Sequence, residues 1–207
     1  PALSPAANAQ RYFKRYHKAH TARKLAEAHR AQALSDIALL EDSLYFLERA
    51  ESGQDISDLR AQLAELGFAR RESGTRSSGK KKAASPFLRF VSSDGFTILA
   101  GRNSGQNERL LKEARGEDTW LHAKDVPGSH VLIVSGGRPV PPATLEEAAR
   151  IAAFYSQARG KPVRVDYTLR RLVRKTPGAG PGQVHYTGEK GLAAQAGEED
   201  IQALKKG

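Results

Sequence analysis

From Ala6 to Ser52 the chain runs 47 residues without a glycine or a proline. Ser4-Pro5 ahead of it reads as an N-cap followed by proline at the first helical position, and Gly53 closes it. A single helix over that stretch is ~70 Å long, too long to be one wall of a small globule. Its C-terminal half carries apolar residues at Leu34, Ile37, Leu40/Tyr45, Leu44 and Leu47, the 3–4 spacing of a coiled-coil stripe. A lone stripe on a helix of this length calls for a partner arm, and none follows, so the arm is expected upstream.

Charge is segregated along the same helix. Residues 11–30 hold seven Lys/Arg and one acid, with Tyr12, Phe13 and Tyr16 interleaved; residues 31–69 hold eight acids and two arginines. The first half can approach phosphates and the second is repelled by them. A solvated helix face with patchy charge is the plainer alternative. Over the whole chain 33 Lys/Arg face 23 Asp/Glu, for +10, which fits a polyanionic partner such as nucleic acid or an anionic membrane surface. There is no cysteine, which excludes disulfides, thiolate zinc sites, thiol nucleophiles and iron–sulfur clusters. No apolar run approaches the ~18–20 residues of a membrane span, and no signal-peptide core is present, so a reducing cytoplasm is the default compartment. With no methionine and Pro1 at its start, the chain is expected to be a piece of something longer.

Asp55 is expected to cap a short helix carrying Ile56, Leu59, Leu63 and Leu66, with Gly67 ending it. Residues 71–86, rich in Ser, Gly and Lys, read as a basic flexible linker. The expected division is therefore a coiled-coil segment over 1–70, a linker over 71–86 and a second domain over 87–207. In that domain 87–91 and 96–100 read as a hairpin, and 107–114 as a short helix. Residues 119–123, 130–134, 162–169 and 183–187 read as further strands. Thr144, with Glu147 in capping-box position, is expected to start a second helix. That order leaves little room for parallel crossovers. The fold class is α+β: a long N-terminal coiled-coil helix, then a mixed or mostly antiparallel sheet with helices on one face.

Three constellations could carry function. Trp120, His122 and Lys124 share one strand face, and the turn through Asp125, Pro127 and Gly128 delivers Ser129 and His130, so that His122 and His130 can face one another. A metal or general-base site there needs Asp125 as its third member, which leaves a metal-dependent nucleic-acid hydrolase as the rival reading. Backbone hydrogen bonding is the plainer role for both histidines. Second, Gly101 to Asn107 follows a strand and opens a helix, a place where free N–H groups favour an anion; a polar cap and turn is the alternative. Third, Arg159, Lys161, Arg164, Arg170, Arg171, Arg174 and Lys175 face Asp166 alone, with Tyr155 and Tyr167 nearby, a mix of charge and stacking surface that RNA binding uses. The glycines from Gly178 to Gly182 could let backbone approach phosphate, and a basic strand edge that blocks aggregation is the bland alternative.

Together these stretches resemble the NFACT-R domain of the NFACT family of ribosome quality-control factors. Gly101-Arg102-Asn103 and Asn107 match its G-R-N-N-x-x-N-D loop, with Ser104 for the second Asn and Glu108 for the Asp. Trp120, His122, Ala123, Asp125 and Pro127 to Val131 match W-x-H-A-x-D-x-P-G-S-H-V. Val165-Asp166-Tyr167-Thr168, then Val173-Arg174-Lys175 and Pro177, match V-D-Y-T before a basic V-K-K-P, and residues 3–18 are similar to the entry of the family's middle coiled-coil region. The resemblance implies a non-enzymatic, C-terminal portion of a longer factor that engages obstructed large ribosomal subunits carrying peptidyl-tRNA and supports tRNA-dependent alanine tailing of the stalled chain. Fibronectin-binding, an older name in the family, implies a surface adhesin instead.

On this reading the RNA face comprises Arg102, Asn103, Asn107, Trp120, His122, Lys124, Asp125, Ser129, His130, Tyr167, Arg170, Arg171, Arg174 and Lys175. Arg11, Lys14, Arg15 and Lys18 would contact the ribosome from the helix. The expected partners are the large subunit, through rRNA and ribosomal protein, and tRNA. No membrane, metal, cofactor or catalytic residue is expected, and a homodimer of the fragment through the coiled coil stays open.

Overall fold

The computed structural model describes residues 3–50, 52–70, 87–176 and 180–205; the expected linker lies outside them. Contacts divide the chain into two units, residues 1–38 and 39–207.

Helix α1 spans Pro5–Glu48, close to the stretch free of helix breakers. In the first unit it is exposed throughout its basic half. Tyr12, Phe13 and Tyr16 are each more than 60% exposed, Phe13 sits edge-on to His17 at 4.2 Å, and Arg23 pairs with Glu27 one turn on at 2.9 Å. The expected coiled-coil seam is solvent-facing within this chain: Leu34, Ile37, Leu40, Leu44 and Leu47 are 41–57% exposed. In the second unit α1 instead buries Leu39, Ser43, Tyr45 and Phe46. Leu39, Ser43 and Phe46 follow an i, i+4, i+7 row, a neighbouring stripe that adjacent leucines hide from a sequence reading.

Helix α2 covers Gly53–Glu65. Its N-cap is Ser52 rather than Asp55, which is the third helical residue and completes the reciprocal pair: Ser52 Oγ accepts from the Asp55 N–H while Asp55 accepts from the Ser52 N–H. Gly67, at φ +85°, makes the left-handed turn that ends it.

The rest is a sheet between two layers. Strands β1 (Leu88–Val91), β2 (Thr97–Ala100), β3 (Thr119–Ala123), β4 (Val131–Ile133), β5 (Val163–Leu169) and β8 (Lys190–Ala194) line up in the order β1-β2-β4-β3-β5-β8, every neighbouring pair antiparallel. Strands β6 (Val173–Lys175) and β7 (Val184–Tyr186) form a separate hairpin. Successive side chains point to opposite faces. Phe90, Ile98, Ala100, Leu121, Val131, Ile133 and Val165 pack on helices α4 (Pro142–Phe154) and α5 (Glu198–Lys205). Leu99, Trp120 and Leu132 point the other way, onto Leu110 and Leu111 of α3 (Ser104–Glu113) and onto Val173, Val184 and Tyr186 of the hairpin.

Two helix starts differ from expectation. Helix α3 begins three residues earlier, capped by Asn103, whose Oδ1 accepts the Gln106 N–H at 2.8 Å. Helix α4 begins at Pro142 with Pro141 at its N-cap, so Thr144 is inside it. The Thr144 hydroxyl donates to Asp94 at 2.7 Å, and Glu147 accepts the Ser93 N–H at 3.0 Å. Their capping-box pattern is used to tie α4 to the β1–β2 turn. Strands β6 and β8 and helix α5 are additional to the elements read from sequence; β6 and β8 are short and carry no apolar alternation strong enough to mark them.

Candidate nucleic-acid interface

The three sequence motifs converge on one side of the sheet but have different jobs. In β3, Trp120 and His122 lie two residues apart and stack nearly parallel, with ring centroids at 5.9 Å. His130, just before β4, meets both edge-on at 5.3 Å, and Tyr186 reaches across from β7 to 4.8 Å from Trp120. Trp120 is fully buried and His130 nearly so. Burial pushes the His122 imidazole down to about 4, against the backbone of Gly128 and the charge of Asp166. Burial, then the neighbouring His122, holds His130 well below its ordinary value. Both rings are therefore neutral at pH 7. Trp120 Nε1 and His130 Nδ1 are buried without a hydrogen-bond partner among the described residues.

Asp125 is exposed, in a left-handed conformation at φ 58°, and no group of three or more His, Asp or Glu among the described residues could hold a metal ion. The His122/Asp125/His130 metal reading is thereby corrected: the turn carries Asp125 outward while packing seals His130 inward.

The loop before α3 is filled from within the chain. Asn107, 2% exposed, accepts the His130 N–H at 2.9 Å and donates to the Gly128 carbonyl at 3.1 Å. The Ser129 hydroxyl donates to the Gly101 carbonyl at 2.6 Å. A side chain at Gly101 would collide with Asn107, and one at Gly128 would meet Ser156 at 3.0 Å. The N-terminus of α3, expected to attract an anion, already receives Asn103 and, from α2, Gln62, whose Oε1 accepts the Gly105 N–H at 3.2 Å. Gln62 also donates to Ser104, and Asp55 pairs with Arg102 at 3.3 Å. The G-R-N-S loop is thus where α2 latches onto the sheet domain. Of the glycines from Gly178 to Gly182, Gly178 lies outside the described residues; Gly180 lies against Leu39, and Gly182 (φ +79°) against Ser104.

Asp166 centres a group that the sequence reading passed over as a lone acid in a basic run. Fully buried opposite His122, it accepts from Arg164 Nε at 2.8 Å and from the Tyr186 hydroxyl at 3.1 Å, with Lys124 Nζ at 3.6 Å. Burial raises its proton affinity, but these bonds and charges outweigh burial and hold its carboxyl below the usual value. Tyr186 is pushed up to about 12, by burial first and then by Asp166. The R-x-D spacing on one strand face was the available signal. Tyr167, on the opposite face of β5, packs against the α4 side and is separated from this group.

Arg159, Lys161 and Arg164 are exposed around the start of β5, and a second group of cations gathers where β5 passes into β6. Arg170 is half-buried, donating to the carbonyls of Leu111 at 2.6 Å and Val173 at 3.2 Å. Burial and the adjacent Arg174 both lower its proton affinity. Arg171 lies against Gly116, beside exposed Arg115, which the sequence reading missed because it sits 55 residues before Arg170. Arg171 and Arg174 are exposed and have no carboxylate partner among the described residues, whereas Lys175 shares Glu108 with Lys112. Of the motif residues, then, Asp125, Arg171, Arg174 and Lys175 are exposed, Lys175 in its ion pair with Glu108; Arg102, His122, Lys124, Tyr167 and Arg170 are half-buried; Asn103, Asn107, Trp120, Ser129 and His130 are closed. Arg11, Lys14, Arg15 and Lys18 are exposed in the first unit.

Residues 1–83 match the model of the NFACT N-terminal and middle domains, and 86–188 that of the NFACT protein RNA binding domain. Over 99% of its length the chain is 39% identical to the Rqc2 homolog RqcH of Streptococcus pneumoniae, and over its whole length 38% identical to that of Bacillus subtilis; it spans 37% and 36% of those proteins. A 75-residue stretch is 39% identical to the mouse ribosome quality control complex subunit NEMF, covering 35% of this chain and 7% of that one. Among solved structures, the C-terminal part of the fibronectin/fibrinogen-binding protein of Streptococcus suis superposes with a TM-score of 0.86 at 34% identity, over 99% of this chain and 81% of that one. The chain belongs to the NFACT family.

Proposed function

We propose that this chain is the RNA-binding portion of a ribosome quality-control factor. It engages obstructed large ribosomal subunits that carry peptidyl-tRNA and supports tRNA-dependent alanine tailing of the stalled nascent chain, in the cytoplasm and without catalysing a reaction itself. One observation carries the reading: Arg171 and Arg174 stand exposed, with no carboxylate partner among the described residues, next to half-buried Arg170, whose charge burial and Arg174 both oppose, so a polyanion would relieve the site. Similarity to the mouse ribosome quality control complex subunit NEMF supports the ribosomal setting. Among the described residues no helix is long and apolar enough to cross a membrane. In this reading the RNA face is narrower than the full motif set: Arg170, Arg171, Arg174 and Lys175, with Arg115 added, make the contacts, and buried Trp120 and His130 with half-buried His122 hold the hairpin beside them. Arg11, Lys14, Arg15 and Lys18 add a second basic surface on α1.

The test is binding to purified large ribosomal subunits, with and without peptidyl-tRNA, across a salt titration. Salt-sensitive binding that is specific to the large subunit and strengthens with peptidyl-tRNA is expected; binding no better than that of an unrelated basic protein contradicts the reading. The name of the Streptococcus suis structure favours a second reading, fibronectin or fibrinogen binding, which predicts salt-resistant, saturable binding to the purified matrix protein.

A further inference from the structure

A cavity of about 330 Å³ lies in the second unit where the end of α1, the start of α2, the Arg102–Asn103 loop and the end of α4 meet. It is remote in purpose from the basic hairpin: none of Arg171, Arg174 or Lys175 lines it. Its charged walls are three arginines, Arg49, Arg102 and Arg159, against Glu48, Asp55 and Glu198. Arg102 is paired with Asp55 and Arg159 with Glu198, so the walls carry no formal net charge. Such a lining offers little to a bare phosphate.

What it offers is flat surface. Arg159 places its guanidinium 3.8 Å from the centre of the Phe154 ring. Arg49 lies 5.4 Å from the Tyr45 ring and 5.8 Å from that of Phe154. A guanidinium anchored on an aromatic ring presents its other face as a stacking plane for a planar ligand. Arg49 and Glu48, adjacent in sequence, are the two charged lining groups with no ion-pair partner among the described residues. Glu48 lines the same cavity, and a carboxylate accepts hydrogen bonds from a ring edge that bears N–H groups. The volume falls at the small end of ligand sites, which run from ~300 Å³ upward.

We propose that this cavity is a nucleobase pocket, taking one unstacked base, guanine best because it alone presents two adjacent N–H donors to a carboxylate. Stacking on Arg49 carries the affinity and Glu48 reads the edge. The base comes either from a single-stranded segment of bound RNA or from a free nucleoside. The RNA source rests on the function proposed above; occupancy of the pocket by a base does not.

The experiment titrates the full chain with guanosine, adenosine, cytidine and uridine by NMR, at low and high salt, with inorganic phosphate as competitor. Saturable guanosine binding is expected, with shifts confined to residues of the pocket, unchanged by salt and not displaced by phosphate. Arg49→Ala weakens it about tenfold, Arg49→Lys does not restore it, and Glu48→Gln removes the preference for guanosine. Arg171→Ala/Arg174→Ala leaves nucleoside binding unchanged, so failure of the RNA-binding reading is seen separately. A short RNA with a single unpaired guanosine, compared with the same strand abasic at that position, separates the sources: tighter binding of the intact strand assigns the base to RNA. Guanosine shifts at pocket residues no larger than those of cytidine and uridine, shifts outside the pocket, or displacement by phosphate overturns the proposal.

Discussion

Replacing Asn107 with alanine removes one side chain and strands two backbone groups. Its Oδ1 accepts the N–H of His130 and its Nδ2 donates to the carbonyl of Gly128, and both of those residues are buried. Gly128 packs so closely on Ser156 that a Cβ would sit 3.0 Å from the serine Cβ, which leaves little room for a replacing water. Each stranded group costs about 1–3 kcal/mol, so the expected loss is ~2–6 kcal/mol. At a typical urea dependence of ~1–3 kcal/mol per molar that moves the unfolding midpoint down by about 0.7 molar or more, with the slope unchanged. Asn107→Asp keeps the acceptor for His130 but cannot donate to Gly128 and buries a charge, so it is expected to be no better. Glu113→Ala breaks the helical pair between exposed Glu113 and half-buried Arg109, 3.4 Å long, and is expected to cost about 0.5 kcal/mol. Urea denaturation followed by circular dichroism measures all three. A loss below ~1 kcal/mol for Asn107→Ala, with RNA affinity of the folded protein reduced instead, would refute the structural role and return Asn107 to the RNA face.

Acid should destabilise the second unit well above the carboxylate range. His122 and His130 have folded pKa values below the unfolded 6.5, so the unfolded state binds more protons; stability is complete above pH 6.5 and falls as pH drops toward the folded value of about 4 for His122, which alone contributes on the order of 3 kcal/mol. Urea midpoints across that range check this, with the dependence shallower in His122→Phe; a flat profile down to pH 4.5 would contradict it. Asp166→Asn removes an anion from beside Tyr186, so the phenol, now pushed up to about 12, should titrate lower; phenolate absorbance reads the change, and an unmoved midpoint would deny the contact. Gly182→Ala puts a side chain at φ +79° and against Ser104, with an expected loss of about 1–2 kcal/mol from backbone strain; an unchanged thermal midpoint would mean that the loop does not hold this position.

Much of the fold is legible residue by residue. The breaker-free stretch marks α1, Thr119–Ala123 is a strand with the bounds its alternation implies, and the Val165/Tyr167 face separates from Asp166 as period two requires. The α+β class and the antiparallel sheet follow from the order of elements. Less legible is what a polar motif is for. Asn103, Asn107, Ser129 and His130 have the chemistry of ligand contacts, and in this chain they bond to backbone and to one another, because two loops that cross without strands between them need side chains to satisfy buried amides. Asp166 in a basic run reads as the residue left over; it is the one that Arg164, Lys124 and Tyr186 surround. Arg115 joins the hairpin cations only through tertiary packing, which no local pattern carries.

The measurement that bears most directly on the RNA-binding reading is the salt dependence of affinity for a single-stranded RNA, taken for the unaltered chain and for Arg171→Ala/Arg174→Ala. Both side chains are exposed and have no carboxylate partner among the described residues, so their removal should leave the fold intact and release two phosphate contacts. The slope of log K against log salt should then fall by about 1.4, at roughly 0.7 per contact on a single strand. An unchanged slope, with the RNA still bound as before, would contradict the assignment of this hairpin as the RNA face.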